Sequence, residues 1–209
     1  MQMMPATVGA RVRLGAASVM FGLLVWIASL PVAHRWDEVV TRWLQRAAPL
    51  PDIPASVLAR LGNAEIVVPI VVAVAGLLLL KNRRSGVAAL WLAAGLVAAS
   101  LLAVTLKHVI VHPGPPEYLT RPGLPGGFYI HTPYSFPSGH TLRVTLLAGT
   151  ALRTNRWLAG AVVLGMMLAL VYTGGHWLSD VLGALCLGWA LIEAGRVVRT
   201  ARSQSYRRG

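Results

Sequence analysis

Acidic side chains are scarce in this chain. Seven Asp and Glu stand against nineteen Lys and Arg in 209 residues, and charged residues of both signs make up only 12% of the total. A soluble domain of this size carries about twice that share. The few polar residues are clumped between long apolar runs, so the bilayer is read as the solvent for most of the chain. Cysteine is nearly missing as well. The single Cys186 lies within an apolar run, which rules out an intramolecular disulfide and leaves the redox compartment unread. Also lacking is a basic face interleaved with aromatics, so the net charge of +12 does not point to nucleic acid. The basic residues sit instead in short linkers and at the two ends, next to the apolar runs.

A membrane-spanning helix needs ~20 mostly apolar residues. Six candidates fall over residues 14–32, 64–80, 86–106, 141–152, 157–173 and 177–198. They predict an all-α, polytopic six-helix bundle, a single membrane-embedded domain over 1–209. Arg11 and Arg13 ahead of the first run resemble a signal peptide's start, but no small-residue cleavage site follows and more spans do, so the run is read as retained. Six spans put both termini on one side. That side takes twelve basic residues, among them Arg13, Lys81, Arg83, Arg84, Arg153, Arg156, Arg196, Arg207 and Arg208, and the other takes seven. The connections KNRR and RTNR weigh most, so both termini are expected in the cytoplasm of a plasma (inner) membrane protein. Two longer segments then face outward. In residues 36–46, Trp36, Val39, Val40, Trp43 and Leu44 recur at helical spacing against Asp37, Glu38, Arg42 and Arg46. This is an amphipathic helix, lying in the headgroup plane or packed on other loops. Residues 107–137 are rich in Pro and Gly, and their Tyr118, Phe128, Tyr129, Tyr134 and Phe136 suit the interface.

The polar residues at the outer boundary converge. Lys107 ends the third span, Ser138, Gly139 and His140 open the fourth, and His176 and Asp180 open the sixth. Pro137-Ser138-Gly139-His140 reads as a helix start, whose free N–H groups and positive dipole attract an anion. His176 and Asp180, four apart, share a helix face, so the carboxylate can fix the imidazole tautomer and leave its other nitrogen to attack or carry a proton. Lys107 supplies a point charge for an oxyanion. Each feature alone has a plainer reading: a cap, a satisfied hydrogen bond, a snorkelling anchor. Their arrival at one face of the bilayer favours a site.

Three stretches, "KHVIVHPGP" (107–115), "PSGH" (137–140) and "ALVYTGGHWLSD" (169–180), resemble the blocks of the type 2 phosphatidic acid phosphatases. That family is the membrane branch of the superfamily that includes vanadium haloperoxidases, and its blocks run K-x6-R-P, P-S-G-H and S-R-x5-H-x3-D. The resemblance implies an outward-facing lipid phosphatase, with site on the periplasmic or extracellular side. His176 would attack phosphorus to form a phosphohistidine and Asp180 would orient it. His140 would protonate the leaving oxygen, while Lys107, Ser138 and Gly139 bind phosphate oxygens. No metal or other cofactor is implied. Its substrates would be lipid phosphates or prenyl (pyro)phosphates among the membrane lipids.

Two departures stand out. The family's clamp arginines fall on Gly114 and, with the preceding Ser, on Ala169-Leu170. Arg143, one turn inside the fourth span, is the candidate replacement, since an Arg there is costly unless it faces protein or water. Snorkelling to lipid headgroups is the competing reading. Arg121 is a looser match, and His108 and His112 are read as interfacial. Phosphotransfer to an acceptor, or a catalytically weak lipid-phosphate binder or transporter, are the rival functions.

Overall fold

The computed structural model describes residues 6–47, 51–123 and 132–206. Among the described residues there are eight α-helices and no strand: α1 (Ala6–Ala28), α2 (Pro31–Ala47), α3 (Asp52–Arg60), α4 (Ala64–Lys81), α5 (Arg83–Val109), α6 (Gly139–Ala151), α7 (Arg156–Tyr172) and α8 (Leu178–Tyr206). A single 3-10 turn covers Glu117–Leu119. Phe128, Tyr129, Arg207 and Arg208, which entered the reading of the sequence, lie outside the described residues.

Among the described residues four helices are long and apolar enough to cross a membrane: Val8–Ala28, Ala64–Lys81, Ser85–Val109 and Leu178–Ala201. α7 is apolar but shorter, and α6 has 13 residues. Large apolar side chains such as Leu80, Trp91 and Trp157 stand on the outside of the bundle. In water that surface would be a liability, whereas in hydrocarbon it is the ordinary outer face, because helices satisfy their own backbone groups there. The first run differs from expectation at its end. Residues 14–32 were expected to form one span, but α1 stops at Ala28 and Pro31, which has no N–H to donate, opens α2. α3 was not anticipated. Its Pro54 falls in the first turn, where a missing N–H costs nothing, so a Pro-containing segment still forms a helix.

α8 is the central post. α1 runs along it, α6 packs against it and against α5 and α7, and α4 pairs with α5. Small residues set these distances: a Cβ on Gly188 would lie 2.7 Å from Thr145 Cγ2, so α6 and α8 approach as small-residue membrane helices do. Leu96, Leu142, Ala184 and Leu187 fill the space between α5, α6 and α8, and Val144, Met166, Leu170 and Val181 fill that toward α7. At the far end of α8 the buried Glu193 is held by Arg13 of α1, at 3.1 Å, and by Arg196.

α2 turns its faces opposite to a soluble helix. Trp36, Val39 and Trp43 are 66%, 56% and 64% exposed, while Ala33, Asp37 and Thr41 are buried. The narrow polar line of the helix therefore meets the protein, and its apolar stripe faces out.

Candidate active site

α7 ends in a turn that delivers His176. The Gly174 N–H donates to the Val171 carbonyl and the Gly175 N–H to the Leu170 carbonyl, the paired bonds of a Schellman ending. Gly174 has φ +68, and a Cβ there would lie 2.4 Å from the Leu119 carbonyl oxygen. Only glycine fits both demands. The His176 N–H also reaches the Leu170 carbonyl, and α8 begins two residues on.

Asp180, fully buried, holds the ring. Its Oδ2 lies 3.1 Å from His176 Nδ1 and accepts from the Trp177 N–H at 3.0 Å. With Nδ1 directed to a carboxylate, Nε2 of His176 carries the free lone pair. Burial, helped by the positive charges of Lys107 and Arg143, holds the His176 pKa well below the usual histidine range, which keeps the ring neutral. His140 faces it, with ring centroids 5.8 Å apart in an edge arrangement.

α6 begins beside this pair. Ser138 is its cap, accepting from the Thr141 N–H at 3.3 Å, and the Ser138 N–H donates to the Asp180 carbonyl at 3.1 Å. That bond ties the start of α6 to the start of α8. The amides of Gly139 and His140 belong to the first turn, whose N–H groups have no partner within a helix. Lys107 lies within electrostatic reach of Asp180, Arg143 and both histidines.

Arg143 is 7% exposed and points into the bundle. Its Nε donates to the Gly62 carbonyl at 2.8 Å and one Nη to Ser100 Oγ at 3.3 Å. That Nη also lies 3.1 Å from where a Cβ on Gly139 would stand, so the guanidinium is alongside the start of α6 and away from lipid. All seven site residues expected from the sequence are thus in one region. Arg121 is engaged elsewhere, donating to the Gln45 carbonyl at 3.1 Å and lying over the Tyr172 ring. Gly114 approaches Ser135, while Ala169 and Leu170 are packed in the core.

Two interfacial assignments need correcting. His112 is fully buried: its Nδ1 donates to the Ala28 carbonyl at 2.8 Å, and its Nε2 lies 3.0 Å from Ser179 Oγ and 3.6 Å from Asp180 Oδ1. Phe136 is buried too, stacked on Phe21 and seated in a notch left by Gly183. Behind Asp180 stands a layer the sequence motifs do not mark. Ser135 donates to its Oδ1 at 3.1 Å, and Asp37 of α2 accepts from Ser179 N and Oγ at 2.9 and 2.6 Å. Desolvation raises the Asp37 pKa, against the lowering effect of the Ser179 bonds. The scarcity of acids was the available signal. With only seven in the chain, one placed on the helix beside an expected outer-face site was worth more than its helical position suggested.

These features define a membrane-embedded helical bundle carrying a histidine–carboxylate pair at helix starts. A family model described as the PAP2 superfamily matches residues 88–203, more than half of the chain. The chain belongs to the PAP2 superfamily, and that membership supports a membrane lipid phosphatase. A solved structure, the first transmembrane PAP2 type phosphatidylglycerolphosphate phosphatase from Bacillus subtilis, shares the fold with TM-score 0.66 at 18% identity, covering 90% of this chain and 96% of that one. No curated protein sequence matches the chain significantly.

Proposed function

We propose that this protein hydrolyses the phosphomonoester or pyrophosphate of a lipid at the outer membrane face through a phosphohistidine. The observation that carries the reading is the Asp180-held His176 facing His140 beside the start of α6. His176 Nε2 attacks phosphorus and the bond from phosphorus to the lipid oxygen breaks, with His140 giving that oxygen its proton. Water then attacks the phosphohistidine, His140 takes the water's proton, the P–N bond breaks and phosphate leaves. Lys107, Arg143, Ser138 and the Gly139 N–H bind the phosphoryl oxygens as charge builds. The route uses protein groups alone and needs no metal ion.

Six spans, counting α6 and α7, put both termini in the cytoplasm and the site outside, with α2 lying in the interface on its exposed tryptophans. The inward Arg143 favours catalysis over simple binding, since it restores a guanidinium where the motifs lost two. Phosphatidylglycerolphosphate, phosphatidic acid, prenyl (pyro)phosphates and phosphorylated glycolipids form the panel to try. Purified protein in mixed micelles should release phosphate from one of them in the presence of EDTA, and His176→Ala should abolish release. Release that survives His176→Ala, or none across the panel, sinks the reading.

A further inference from the structure

The segment Gly62-Asn63-Ala64-Glu65, which leads from α3 into the first turn of α4, lies outside the three motif blocks and outside the family match at 88–203. Asn63 holds the N-cap position of α4, where an Asn side chain ordinarily accepts from the helix's own amides. It makes no such bond. Instead the buried Asn63 places Oδ1 against His140 Nε2 and donates from Nδ2 to Glu65 Oε1 at 2.6 Å.

The proton positions follow from the partners. A carboxylate only accepts, so the amide nitrogen must face Glu65 and the amide oxygen must face His140. Nε2 of His140 therefore carries a hydrogen, and Nδ1 is the nitrogen left to exchange a proton with substrate. Gly62 makes the approach possible, because a Cβ there would lie 3.0 Å from His140 Cβ and 3.2 Å from Cδ2. Its carbonyl is also the acceptor for Arg143 Nε. A single short linker thus grips two of the residues assigned to catalysis.

We infer that Asn63, oriented by Glu65, is a positioning residue that fixes the tautomer of His140 and supports it as proton donor to the leaving oxygen. The inference rests on the phosphatase reading above. In the first step the imidazolium gives its Nδ1 proton to the departing lipid oxygen, and in the second neutral Nδ1 takes a proton from water. Asn63 Oδ1 holds the Nε2 hydrogen throughout, so no proton is lost to the linker.

Leaving-group dependence tests it. A poor alkoxide leaving group needs that proton, and a nitrophenolate hardly does. The full chain is purified in detergent and assayed on dodecyl phosphate and para-nitrophenyl phosphate, with Asn63→Ala, Glu65→Gln and His140→Ala compared. Asn63→Ala should lower kcat on dodecyl phosphate by about 10- to 100-fold, less than the whole contribution of a general acid and similar to the loss of a partner that orients a metal-bound histidine, with a much smaller loss on the aryl ester. Glu65 is exposed, so Glu65→Gln keeps the fold and should show the same selectivity, more weakly. Equal losses on both esters, or a change confined to KM, would mean a merely structural linker and overturn the inference. If His140→Ala is itself indifferent to the leaving group, the general-acid assignment falls and this inference with it. If wild-type protein releases nothing from either ester, it is the phosphatase reading that has failed first, and the positioning role goes too.

Discussion

Arg143 spends its Nε on the Gly62 carbonyl and one Nη on Ser100, which fixes the plane of the guanidinium beside Gly139. A lysine keeps the charge but not the fork or its anchors. Arg143→Lys should therefore lower kcat/KM for phosphate release by about 10²–10³-fold, the cost of losing one oriented donor to a developing oxyanion. Initial rates on the best lipid of the panel check this, and unchanged release would remove Arg143 from the site. At this scale the sequence was most informative where side chains act through their own spacing. His176 and Asp180 are four apart, and that alone placed the carboxylate on the ring. Asn63 carries no local signal, and Asp37 reads only as part of the polar side of a helix, because their partners are 77 and 142 residues away. Local spacing carries no trace of such a meeting.

The turn after α7 is the element on which His176 hangs. Gly174 combines a left-handed backbone with contact against the Leu119 carbonyl. Gly174→Ala should cost at least ~1–2 kcal/mol for the backbone conformation alone, visible as a lower midpoint in thermal unfolding in detergent, and should reduce activity by moving His176. Wild-type stability in that variant would show that the turn can relax. Helix periodicity made α2 legible as amphipathic, yet it did not tell which face would meet the protein. A helix packed as in a soluble protein turns its apolar stripe inward, whereas here the protein takes the polar line through Asp37 and Thr41 and leaves the stripe exposed. α3 and the end of α1 were hidden by prolines, whose effect depends on which turn of the helix they enter.

For the whole molecule, the proposed orientation is tested with thiols. In a Cys186→Ser background, Tyr118→Cys lies on the same end as the site, and Thr154→Cys lies in the connection between α6 and α7; both positions are exposed. A membrane-impermeant maleimide added to intact cells should label the former and spare the latter. The reverse pattern would turn the protein over. The all-helical membrane architecture was readable from apolar runs because a bilayer demands uninterrupted ones, but the depth of α6 was not. At about 1.5 Å per residue its 13 residues cover only about 20 Å. The amino-terminal helix brings a separate consequence. α1 lies outside the family match, yet it is fastened twice, by Arg13 to Glu193 at one end and by the Ala28 carbonyl to His112 at the other. From His112 the contacts pass through Asp180 to His176. A tag, fusion or proteolytic cut that pulls on α1 is therefore expected to disturb the setting of His176 from 148 residues away, so a preparation trimmed there should be compared with the full chain in activity and not only in purity.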